Sequence, residues 1–122
     1  MEKIIEKTIF VEEFKKRTKD FTLRNIKLFQ SLPKTDEARI IGKQLLRSAS
    51  SVGANYRAVC RARSQAEFYS KLNITIEEAD ESLFWLEILG ESNILPLNKL
   101  ADLMNEAEEI IKVLSKARKN IN

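Results

Sequence analysis

The side chains in this sequence that could do chemistry are carboxylates, guanidiniums, ammoniums and serine hydroxyls, with no histidine among them. Glu77, Glu78, Asp80 and Glu81 form an acid-rich run like those lining di-iron helix bundles. Such sites also take Glu-x-x-His pairs, which a chain without histidine cannot supply. Glu106, Glu108 and Glu109 are a second acidic group without metal-ligand spacing. Ser48, Ser50 and Ser51 cluster as well, but a serine nucleophile needs a neighbouring base and none accompanies them. Gly42, Gly53 and Gly90 stand apart, so no glycine-rich phosphate loop is present. Cys60, the single cysteine, has no histidine to activate it and reads as a small, half-buried side chain in a reducing cytosol. No metal, cofactor or catalytic residue is expected, and the enzyme class is set aside.

What remains is charge that could hold a phosphate. The net charge is only +3, but it is unevenly spread, with residues 77–92 carrying six carboxylates and no basic group. Arg57 and Arg61 share a helix face at i, i+4, Arg63 follows at the helix end, and Lys71 extends the patch. Cations at a helix carboxyl end also answer the helix dipole, and Glu67 is a neutralising candidate for Arg61, so phosphate contact is one of two readings. A second basic run, Lys15-Lys16-Arg17 with Lys19, Arg24 and Lys27, reads first as a solvated helix face and second as a further phosphate contact.

These groups must be positioned by helices. A chain of 122 residues makes one domain, burying roughly two-thirds of its unfolded surface. Three glycines, two prolines and little apolar–polar alternation disfavour strands. After a charged lead-in, a helix over about 8–31 carries Val11, Phe14, Phe21, Leu28 and Leu32, flanked by Phe10 and Phe29, and stops at Pro33. Thr35 or Asp36 caps a second helix, about 36–63, whose seam is Ile41, Leu45, Ser48, Val52, Asn55 and Val59. Ser64 to Glu67 is a capping box opening a third helix, about 65–90, with Phe68, Leu72, Ile76, Ala79, Leu83 and Leu86 inward and Gly90 as a terminator. Pro96 starts a fourth, about 97–119, with Leu97, Leu100, Met104, Ala107, Ile111 and Leu114 inward before a polar tail, 116–122. The expected fold is all-α: an up-down-up-down, left-handed four-helix bundle in one domain, 1–122.

Two features belong to the hairpin of the second and third helices. The small residues around Ser48, Ser51, Val52 and Asn55 allow another helix to approach closely, from the same subunit or a neighbour. Gly53 costs about 1 kcal/mol in mid-helix, which such packing could offset. Folding the hairpin about residues 63 and 64 sets Arg47 against Asp80 and Glu81, a partly buried structural ion pair.

Residues 47–57, Arg-Ser-Ala-Ser-Ser-Val-Gly-Ala-Asn-Tyr-Arg, with Ala62-Arg63-Ser64, Glu67-Phe68, Lys71-Leu72 and the run from Glu78 to Glu87, resemble a known family. It comprises the four-helix-bundle proteins encoded in intervening sequences of bacterial large-subunit ribosomal RNA genes. The likeness follows the whole helix order and is most specific over 47–87. Ala58 departs from it, since many relatives place a glutamate there. The resemblance implies a ring, a homopentamer with a central channel. It also implies kinship with accessory bundles of diversity-generating retroelements, which bind nucleic acid and a reverse transcriptase. It implies no settled activity for this branch.

Two functions compete. One is a non-catalytic, oligomeric protein binding RNA or DNA through Arg57, Arg61, Arg63 and Lys71. The other is a protein-interaction scaffold, using the apolar Phe84, Trp85, Ile88 and Leu89 beside the acidic run to hold a basic protein partner. Those apolar residues also suit the end of the core or a subunit interface. No stretch approaches the ~20 apolar residues of a membrane span, and the expected location is the cytoplasm.

Overall fold

A computed structural model describes the backbone of residues 2–119 and the side chains of residues 10–119. Four helices follow in order: α1 (Glu2–Gln30), α2 (Asp36–Cys60), α3 (Gln65–Glu91) and α4 (Ala101–Lys119), with a 3-10 turn at Leu97–Lys99 before the last. No strand occurs among the described residues. The fold is the all-α four-helix bundle expected.

Capping explains most of the boundaries. Thr35, not Asp36, is the N-cap of α2; its hydroxyl accepts from the Ala38 amide, and Asp36 and Glu37 fill the first turn. Ser64 caps α3 by accepting from Glu67 N at 3.0 Å, while Glu67 reaches back to the Arg63 amide rather than to Ser64. Helix α2 ends at Cys60, three residues before the expected end, with Arg61 as its C-cap and Ser64 already extended as the cap of α3. Gly90 does not terminate α3. The left-handed position is Asn93, φ 60°, and the amides of Asn93 and Ile94 bond Gly90 O and Leu89 O in a Schellman closure. Most of the expected lead-in is helical from Glu2. Of the polar tail, Lys116–Lys119 are helical and residues 120–122 lie outside the described residues.

Adjacent helices are antiparallel. Thr22 Oγ1 donates to Ala49 O at 2.7 Å while Thr18, a turn earlier on α1, lies against Gly53, a turn later on α2. A Cβ at Gly53 would lie 3.1 Å from Thr22 Oγ1 and 3.4 Å from Thr18 O. The small residues therefore do bring two helices of one subunit together. On the other side of α2, fully buried Ser48 and Ser82 share a hydrogen bond at 2.9 Å, tying it to α3. Gly90 of α3 touches Leu100 just before α4, and Arg118 of α4 bonds Asn73 of α3.

The core runs along the bundle through Phe21, Leu45, Leu72, Leu86, Leu89, Leu100, Ile110 and Leu114, all fully buried. Each such side chain contributes about 1.5–3 kcal/mol by leaving water. The inward stripes differ from expectation in each helix; in α3, Thr75 and Ser82 are buried where Phe68, Ile76 and Leu83 are only partly so. Thr18 and Asn25 are buried between the aromatic and leucine positions of α1; Thr18 Oγ1 donates to Phe14 O and Asn25 Nδ2 to Phe21 O, while the buried Asn25 Oδ1 has no hydrogen-bond partner among the described residues. In α4 the buried residues include Leu103 and Ile110, with Met104 and Ile111 at the flank and Leu97 exposed. In α2, Ala49 and Tyr56 are buried where Ile41 and Asn55 are only partly so.

Candidate nucleic-acid interface

Arginines divide by partner. Arg17 of α1 forms a two-pronged pair with Glu106 of α4, at 2.7 and 2.9 Å, and lies over the Phe14 ring. It is thereby removed from the solvated basic run to which the sequence assigned it, and serves to tie α1 to α4. Arg47 of α2 reaches Glu78 at 3.3 Å and makes a hydrogen-bonded ion pair with Glu81. The expected partner Glu81 is correct, but Asp80 is exposed on the next face of the helix and makes no ion pair among the described residues. Arg47 is half-exposed rather than buried. Trp85 Nε1 also donates to Glu81, at 3.0 Å, and this bond leads the Arg47 guanidinium in holding the Glu81 carboxyl below its usual range.

Arg57, Arg61 and Arg63 are exposed, and among the described residues they make no ion pair. Arg57 lies in the last turn of α2, Arg61 at its C-cap and Arg63 just before the cap of α3. All three line one open groove at this end of the bundle, with Ala54, Ala58 and Glu67. Glu67 supplies a carboxylate there, but engages the Arg63 amide rather than a guanidinium. Lys71, within the first two turns of α3, is half-buried and lines neither this groove nor the next one.

A second groove runs between α1 and α2 and shares Ala54 and Arg57 with the first. Its α1 wall carries Lys15, Lys16 and Lys19, and Glu12 sits at its margin, 3.1 Å from Lys15. The sequence considered the two basic runs separately. Only the close α1–α2 crossing at Gly53 sets them side by side.

The remaining candidates are structural. Ser48 donates to Leu45 O within its own helix and is sealed from solvent; Asn55 donates to Ser51 O; Val52 is core. Burial pushes the Cys60 thiol up, so it stays protonated at neutral pH. Among the described residues no group of histidine, cysteine or acid is arranged to hold a metal. Leu89 is core and Ile88 and Trp85 are partly covered, while Phe84 remains exposed on α3. Among the described residues no helix is long and apolar enough to cross a membrane.

No curated protein matches the chain. A similar solved structure is a protein of unknown function from the S23 ribosomal protein family of Bacteroides thetaiotaomicron. The two are 33% identical, with a TM-score of 0.84, over 90% of this chain and 98% of that one. The family model of the 23S rRNA-intervening sequence protein matches residues 12–116, nearly the whole bundle. This chain belongs to the 23S rRNA-intervening sequence protein family.

Proposed function

We propose that the protein is a non-catalytic, oligomeric nucleic-acid-binding protein that contacts RNA or DNA phosphates at the Arg57 end of the bundle. The observation carrying this reading is the trio Arg57, Arg61 and Arg63, gathered on one groove without an ion pair among the described residues, while Arg17 and Arg47 are both paired. Guanidiniums present a planar fork that matches phosphate, and unpaired ones give up no protein contact on binding. Lys71 adds charge from the adjoining helix. The reading includes the homopentameric ring that the family resemblance implies and residence in the cytoplasm. A ring would repeat a small patch and raise avidity without new contacts.

Arg57→Ala/Arg61→Ala tests the site. Affinity for labelled structured RNA and duplex DNA should fall while the helical spectrum and assembly mass hold. Unchanged affinity would move the site elsewhere. The exposed Phe84 beside acidic α3 supports a protein-scaffold reading instead. A protein partner that survives nuclease treatment, from a chain that binds no nucleic acid, would favour it.

A further inference from the structure

We infer that the phosphate path does not stop at the end of the bundle but turns at Arg57 and continues along the α1–α2 groove over Lys16 and Lys19. This rests on the nucleic-acid reading above and extends it to a specific track. The two grooves are one surface, because Ala54 and Arg57 line both. Lys15 and Lys19 are one turn apart on α1, and Lys16 stands beside them, so the wall presents ammoniums on successive turns.

The floor suits a close-lying backbone. It is made of small side chains, Thr22, Ser50, Gly53 and Ala54. Lys15 is partly neutralised by Glu12, which leaves Lys16, Lys19 and Arg57 as the groove's cations without an ion pair among the described residues. A carboxylate-bearing partner could also answer this charge. However, the cations continue past Arg57 to Arg61 and Arg63, with Glu67 the one carboxylate lining that groove, and a phosphodiester chain matches an extended line of charge better than a compact acidic patch does.

The test uses the full chain and the same two probes, labelled structured RNA and duplex DNA, titrated across a salt series. Each phosphate contact contributes about 0.9 to the log–log salt slope on duplex DNA and about 0.7 on single strands. Lys16→Ala/Lys19→Ala should therefore flatten the slope by about 1.4–1.8 and weaken binding roughly fifteen- to thirtyfold at about 0.15 M salt. Lys16→Arg/Lys19→Arg should retain binding. Lys43→Ala/Lys112→Ala, two exposed lysines outside both grooves, should change the slope far less.

If Lys16→Ala/Lys19→Ala binds as the native chain does while Arg57→Ala/Arg61→Ala is impaired, the track is wrong and the end patch stands. An equal loss in the control pair would reduce the effect to net charge and overturn the track as well. Weakening accompanied by a change in assembly mass would make the groove a subunit contact. A native chain that binds neither probe would overturn both readings.

Discussion

Towards α3, helix α2 presents Ser48, sealed against Ser82, and Arg47, matched by Glu78 and Glu81. Towards α1 it presents Gly53, where a Cβ would crowd Thr22 Oγ1 and Thr18 O, and Arg57, which shares an open groove with Lys16 and Lys19 and makes no ion pair among the described residues. Small residues occur on both sides and basic residues on both sides, yet the outcomes are opposite. On the α3 side small size makes a dry seam and the charge is cancelled across it. On the α1 side small size makes a low floor and the charge is left over. The neutralised arginines tie helices together, and the unmatched ones are what a polyanion could use.

The hardest way to break the comparison is to overfill the closed side. Ser48→Leu, at a fully buried site, should destabilise the bundle by about 3 kcal/mol in denaturant unfolding. Next comes Arg57→Ala/Arg61→Ala, expected to weaken nucleic-acid binding roughly thirtyfold at about 0.15 M salt on duplex DNA. Its unfolding midpoint should stay within about 0.5 kcal/mol of native, as for exposed side chains lacking partners. Arg17→Ala should do the reverse, costing about 1 kcal/mol of stability after allowance for solvent screening while leaving affinity intact.

The smallest effect is a pH dependence. Glu81 has a folded pKa held below its unfolded value by Trp85 and Arg47. Its contribution is thus complete above the unfolded carboxylate range and is lost as pH falls through the depressed folded value, on the acid side of that range. Glu81→Gln should flatten that part of the stability–pH curve measured by denaturant midpoints. A curve unchanged by the substitution would remove Glu81 from the account.

Much of this arrangement was legible in the residues. Local signals were sound: Thr35 and Ser64 cap where their hydroxyls could reach the next turn, and Leu45 and Val52 of α2 and Leu72 and Leu86 of α3 fell inward, while Ile41, Ile76 and Leu83 reached only the flank. Errors arose where the pattern was degenerate. Leu103-Met104 and Ile110-Ile111 each offer two neighbouring apolar residues, so α4 could be read on either of two faces, and packing against the rest of the bundle decided it. Thr18 and Asn25 looked polar, but each can return a hydrogen bond to the preceding turn, which lets them enter the core. Hairpin arithmetic located the Arg47 pair to within a turn, and helical phase then favoured Glu78 and Glu81 over Asp80. Arg17 with Glu106 had no local spacing to reveal it, being a contact between the first and last helices. The junction of the two basic grooves was hidden for the same reason.

The central claim is that the unmatched cations beside α2 engage phosphates, and the salt dependence of native binding to structured RNA and duplex DNA tests it most directly. The account predicts a linear fall of log affinity with log salt, with a slope of about −3 or steeper for the several contacts proposed. Binding that is absent at low salt, or indifferent to salt, would contradict it. The basic groove would then have no role with nucleic acid.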